Sequence, residues 1–336
     1  MRFKLPYSLS GLMREQARWR RRIAKAVASP TEAITARAAK PRAGRARLSE
    51  ISGFGTNPGR LRMLEYVPAS AGKDSPLVVV IHGCLQNAEG YAKGSGWTKL
   101  ANENGIILLF PEQRRENNNN LCFNWFRPSA VARDRGELMS IRQMIEHAGD
   151  RHEVDQSRVY VHGLSAGAAM AAALLVTYPE MFAAGQLVAG LPYGVARDAV
   201  TALSVMKSGP RQSAEDLADL ARRVSPNTIN WPSVSIWHGA ADRIVTPQNA
   251  RASLQQWLHL HQLQEAGGRM SRDRGGLVHH WDDGTAKPRV EFRLLDSLDH
   301  GLPIKPARRP PSQQQPYMLE AALSAPNEFV RSFVSP

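Results

Sequence analysis

Residues 158–177 read RVYVHGLSAGAAMAAALLVT. The run Arg158–Val161 has the β-branched and aromatic content of a short strand, and Ala166–Thr177 reads as a helix. Between them stands Gly163-Leu164-Ser165-Ala166-Gly167, a G-x-S-x-G pentapeptide. A chain passing from strand to helix over so few residues must turn sharply. It needs glycine on either side of the serine, where a β-carbon would meet neighbouring backbone. Such a turn lifts Ser165 Oγ from the carboxyl edge of a sheet. It also leaves the Ala166 N–H at the positive end of the helix, aimed at a developing oxyanion. Alone, the pentapeptide could be a helix start with Ser165 as its cap; the strand before it favours a nucleophile.

Outward from this turn, strand and helix patterns alternate. Leu61–Val67 alternates as a strand, and Leu77–Ile81 (LVVVI) is a continuous run suited to a strand buried on both faces. Tyr91–Asn104 reads as a helix, Ile106–Phe110 as a buried strand and Ala132–Ala148 as a helix. Phe182–Val188, Ser233–Trp237 and Val290–Leu294 read as strands, with helices over Gln248–Leu263 and near Pro316–Phe333. This alternation predicts an α/β fold with a mostly parallel sheet and helices on both faces. Two pieces depart from it. Leu191–Pro232 is a Gly/Pro-punctuated insertion with a helical centre at Ala214–Val224, expected to cap a cleft, and Gly267–Gly284 reads as an irregular turn or hairpin.

A serine hydroxyl needs a base, and in a sheet entered this way the order is serine, acid, histidine, each on a loop after a strand. Ser233–Trp237 leads into His238-Gly-Ala-Ala-Asp242, and Val290–Leu295 leads into Asp296-Ser-Leu-Asp299-His300-Gly301. Asp242 is therefore the expected acid and His300 the expected base. Asp296 and Asp299 would have to fold back on His300, and His238 precedes its acid. His279 and His280 read as surface residues. The second oxyanion donor belongs on the loop after Leu77–Ile81, His82-Gly83-Cys84-Leu85-Gln86-Asn87, where the Cys84 N–H can face the nucleophile and His82 holds the loop. Cys84 and Cys122 are the only cysteines. Both fall on loops at the carboxyl edge of the sheet, which leaves a disulfide or two free thiols open.

Taken together, H-G-C-L-Q-N (82–87), C-F-N-W-F (122–126), G-L-S-A-G (163–167), H-G-A-A-D-R-I-V (238–245) and D-H-G-L-P-I (299–304) resemble the polyhydroxybutyrate (PHB) depolymerase family of esterases, which includes feruloyl and acetylxylan esterases. The resemblance covers about residues 58–335. It implies an α/β-hydrolase fold, a triad of Ser165, Asp242 and His300, a paired Cys84 and Cys122, secretion, and an ester substrate with no metal or organic cofactor. Short-chain polyhydroxyalkanoate polymers or oligomers lead among substrates, followed by phenolic or acetyl esters of plant polysaccharide. Trp125, Phe126 and Tyr193 could supply an apolar wall for either.

The chain has 336 residues, 43% hydrophobic, ample for a large core, and no stretch long and apolar enough to span a bilayer. Its net charge is +13, but residues 1–50 carry thirteen Lys/Arg against three Glu, leaving +3 for the other 286 residues. The basicity therefore belongs to residues 1–47, read as a helix over Leu9–Val27 followed by a basic linker, Ala38–Arg47. The domain proper is expected at 48–336. The N-terminal helix lacks the apolar core of a secretory signal and could dock on an anionic surface. A rival reading makes the chain a polyanion- or surface-binding protein with a vestigial hydrolase body, in which case deleting residues 1–47 would abolish its only activity.

Overall fold

A computed structural model describes residues 47–284, 287–306 and 314–335. The helix expected over Leu9–Val27, and its linker up to residue 46, lie outside them.

The buried apolar runs form the middle of one ten-stranded sheet. Its strands are β1 (Ser49–Ile51), β2 (Arg62–Tyr66), β3 (Leu77–Ile81), β4 (Ile107–Glu112), β5 (Val159–Leu164), β6 (Ala184–Val188), β7 (Ser233–Gly239), β8 (Arg269–Asp273), β9 (Gly276–Trp281) and β10 (Val290–Leu295), in the order 1-2-4-3-5-6-7-10-9-8. From β4 to β10 all pairings are parallel. Strands β3, β5, β6 and β7 are buried at every residue, as a sheet covered on both faces requires. Helices Gly136–His152, Ala166–Thr177 and Gln248–Leu260 pack on one face; helices Ala88–Ser95 and Trp97–Asn104 and the C-terminal helix Ala325–Phe329 pack on the other. Antiparallel β1 and β2 close one side and the β8–β9 hairpin closes the other. This is the α/β-hydrolase arrangement.

Several elements differ from expectation, each for a local reason. The helix expected over Tyr91–Asn104 is two helices, broken at Gly96 where φ is +84°. The helix expected at Ala132–Ala148 starts later, at Gly136. The helix expected over Pro316–Phe333 is mostly not one. Tyr317 has φ +61°, Met318–Glu320 forms a strand beside Leu302–Ile304, and helix begins only at Ala325. The backbone of Met318–Glu320 is used in strand pairing and so is not free to coil. Gly267–Gly284 contains a regular hairpin that extends the sheet. The Leu191–Pro232 insertion holds helix Ala199–Ser208 and helix Ala214–Val224, the latter packed on Gln248–Leu260. All these elements belong to a compact unit of residues 46–308 with 317–336; a second unit, 1–45 with 309–316, lies largely outside the described residues.

Candidate active site

Ser165 sits where β5 ends and helix Ala166–Thr177 begins, with φ 56° and ψ −118°, a conformation L-residues rarely adopt. The flanking glycines are what make the turn possible. A β-carbon on Gly163 would collide with Gly167 O, and one on Gly167 would collide with the Ile81 and His82 carbonyl oxygens. The helix start is thereby pressed against the end of β3, and Ser165 N–H donates to Val188 O on the neighbouring strand at 2.8 Å. Ser165 remains partly exposed at the carboxyl edge.

Asp242 and His300 reach this serine from two loops that touch each other. Gly239, at the end of β7, leaves no room for a β-carbon against the carbonyls of Leu298 and Asp299. His300 Nε2 lies 2.9 Å from Ser165 Oγ, and its Nδ1 lies 2.7 Å from Asp242 Oδ2. The other carboxylate oxygen, Oδ1, accepts the Ile244 and Val245 N–H groups at 2.8 and 2.9 Å. Asp242 is buried, and although burial works against its charge, hydrogen bonds from His238 and His300 hold its carboxyl well below the usual range. The imidazole Nδ1–H thus faces a permanent carboxylate, leaving Nε2 to accept the serine proton.

Gly83–Gln86 makes a tight turn, closed by Gln86 N–H to Gly83 O at 3.3 Å with Leu85 at φ 62°. Among the described residues, neither the Cys84 N–H nor the Ala166 N–H donates to a protein acceptor; Cys84 lies in the turn after β3 and Ala166 starts the serine helix. Cys84 is joined to Cys122 by a disulfide, S–S 2.07 Å. Leu85 N–H also donates to Asn120 O at 2.7 Å, so the turn is tied twice to the loop after β4. Burial lowers the His82 pKa, and His82 donates Nδ1–H to Gly83 O and accepts from Gln113 N–H at Nε2, which fixes the turn from beneath.

The profile of the family described as esterase PHB depolymerase matches residues 61–277, well over half of the chain. Poly(3-hydroxyalkanoate) depolymerase C of Paucimonas lemoignei is 38% identical over 261 residues, covering 77% of this chain and 63% of that protein. The chain thus spans less than two thirds of that relative's length. The chain belongs to the PHB depolymerase esterase family. Feruloyl esterase B of Thermothelomyces thermophilus is 31% identical, covering 66% of this chain and 79% of its own length. Acetylxylan esterase A of Aspergillus oryzae is also 31% identical, covering 79% of this chain and 86% of its own. Among solved structures, an acetyl xylan esterase from Aspergillus awamori superposes with TM-score 0.69 at 24% identity, covering 76% of this chain and 94% of that one, a likeness of fold.

In this PHB depolymerase family member, Trp125 and Phe126 are half-exposed on the loop after β4, their rings edge to face at 5.6 Å, with Trp125 packed on the group that includes Ala169, one turn below Ser165. Tyr193 lies elsewhere. Its backbone is clamped by Gln256 and its hydroxyl neighbours Thr177, at the far end of the helix that Ser165 starts, roughly 18 Å away by helical rise. Asp299 does not reach the imidazole; its Oδ1 accepts the His300 and Arg243 N–H groups and so ties the two loops. Asp296 pairs with Arg272 at the surface. The sequence reading missed two groups. Tyr317 packs against the His300 ring, centroids 5.9 Å apart and near perpendicular, and was masked by the expected helix. Glu137, buried in the first turn of Gly136–His152, accepts from Asn124 N, Asn124 Nδ2 and Gln113 Nε2, anchoring the C-F-N-W loop. Burial pushes its carboxyl upward against those bonds. Only its position in the first turn of a helix could have flagged it.

Proposed function

We propose that this chain is a serine esterase that hydrolyses carboxylic esters by two-step acyl transfer. The observation that carries the reading is the continuous line from Ser165 Oγ through His300 to Asp242, with links of 2.9 and 2.7 Å. His300 Nε2 takes the proton of Ser165 as Oγ attacks the ester carbonyl carbon. The carbonyl electron pair moves onto oxygen, to which the N–H groups of Cys84 and Ala166 donate hydrogen bonds. Collapse expels the alcohol, which takes the proton from His300. Water then repeats the sequence on the acyl-enzyme and releases the acid.

The Paucimonas depolymerase likeness favours short-chain polyhydroxyalkanoate polymers or oligomers as substrate, lying against Trp125 and Phe126. Tyr193 is left out of that wall because its hydroxyl lies at the distal end of the serine helix. The fungal relatives support a second reading, feruloyl or acetylxylan esters, since the chain spans more of their length. A disulfide beside the catalytic turn suits an oxidising compartment, and we place the enzyme's action outside the cytosol. The test is turnover on soluble short-chain, phenolic and acetyl-sugar esters beside amorphous polyhydroxybutyrate. Ser165→Ala should remove hydrolysis of every substrate, a loss on the order of 10⁶-fold in kcat. A folded Ser165→Ala protein with substantial turnover would refute the nucleophile.

A further inference from the structure

Asp242 has a second imidazole that the mechanism above does not use. His238 is the penultimate residue of β7, and its side chain has no exposure to solvent. Its Nε2 lies 2.8 Å from Val245 O and 3.1 Å from Asp242 Oδ2, the same oxygen that His300 Nδ1 approaches at 2.7 Å. A carbonyl oxygen only accepts, so Nε2 carries the proton and shares it between the two oxygens. Nδ1 is buried with no partner among the described residues. A proton there would be a buried donor without an acceptor, which leaves Nε2 as the donor of this ring.

We propose that His238 is a positioning residue for the reaction, fixing Asp242 Oδ2 in the plane of the His300 imidazole; this rests on the esterase reading above. Two backbone N–H groups hold Oδ1. Among the described residues, His238 is the donor on Oδ2 besides the imidazole that Oδ2 orients, so it fixes that oxygen independently of His300. It stands on a strand, paired in register with Leu294 of β10, the strand that leads into the His300 loop. The same N–H that steers Oδ2 also holds Val245 O, so the acid and the turn following it are set by one rigid group. An orienting acid works only through geometry, and small misplacements in a triad are costly in rate.

The test uses the full chain with a soluble ester. His238→Phe keeps the ring and removes the donor; His238→Gln places an amide N–H near the position of Nε2; His238→Asn is too short to reach both oxygens. His238→Phe should lower kcat about 10- to 100-fold with KM within about threefold. His238→Gln should restore kcat to within about fivefold of wild type. In an Asp242→Asn background the Phe substitution should cost less than about twofold more, because the group it steers is already disabled. If His238→Phe does not fold, His238→Asn takes its place with the same expectation. A folded donor-less variant with wild-type kcat, a Gln variant no better than Phe or Asn, or a full multiplicative loss on top of Asp242→Asn would each overturn the proposal. Wild type and Ser165→Ala run alongside. An inert wild type, or an active Ser165→Ala, sinks the esterase reading and this proposal with it, whereas unimpaired His238 variants beside a dead Ser165→Ala sink this proposal alone.

Discussion

Asp242 and Asp299 both touch the His300 loop, but through different atoms. Asp242 Oδ2 meets the imidazole, whereas Asp299 Oδ1 meets the His300 backbone N–H at 2.8 Å. Substituting each by asparagine should therefore separate them. In Asp242→Asn the amide cannot accept from Nδ1–H without turning its oxygen from the Ile244 and Val245 N–H groups. The wrong tautomer results, and kcat should fall roughly 10⁴-fold. In Asp299→Asn the oxygen that accepts from His300 and Arg243 survives, so kcat should stay within about tenfold. Steady-state ester hydrolysis of the two folded variants decides it, and a larger loss in Asp299→Asn would mean the acid is misassigned.

Elements meet at this site through backbone rather than side chains, which makes the glycines intolerant. Gly167 faces the carbonyls of Ile81 and His82, neither of which can retreat without moving the end of β3. Gly167→Ala should thus disturb the Gly83–Gln86 turn as well as the helix start. The expected result is a lowered Tm and at least a tenfold fall in kcat, read by calorimetry and by ester turnover; wild-type values for both would contradict the contact. The disulfide acts at the same scale. It closes a loop with a sequence separation of 38, for which chain entropy predicts about 4 kcal/mol of stabilisation. Thiol titration of the denatured, unreduced protein should find no free thiol. The Cys84→Ser/Cys122→Ser double variant should unfold at lower denaturant concentration by an amount equivalent to about 2–4 kcal/mol.

For the whole molecule, buried neutral histidines set the response to acid. His162 donates Nδ1–H to Gln186 Oε1 and accepts from the Tyr91 hydroxyl at Nε2, each at 2.8 Å; the Gln186 amide is oriented by its bond to Ala325 O. Burial lowers His162 from 6.5 to about 3 and His261 to about 4. Between those values and 6.5 the unfolded chain binds protons that the folded chain refuses, so stability is greatest above about pH 6.5 and falls as pH drops. The Tm should decline from pH 7 to pH 5, before most carboxylates titrate. His162→Gln should lower Tm at pH 7 yet flatten that decline, and an unchanged slope would exonerate His162.

Ser165, Asp242 and His300 were legible as candidates in the sequence because each stands on a loop that follows an apolar run, with a glycine within three residues, so local turn chemistry and strand order were enough to select them. The Cys84–Cys122 pair was favoured by the placing of both cysteines on loops at one sheet edge and implied by the family likeness, with free thiols as the alternative. The alternation of buried runs likewise determined a parallel sheet. What tertiary structure alone decided are contacts set by register and by which side of a strand faces which loop. Asp242 comes to lie on His300 because β7 pairs with β10, Tyr193 faces the distal end of the serine helix, and Tyr317 meets His300 because residues 318–320 pair as a strand instead of coiling. Apolar periodicity specifies that a residue is buried, but the identity of its neighbour depends on how remote segments align, and no local pattern encodes that.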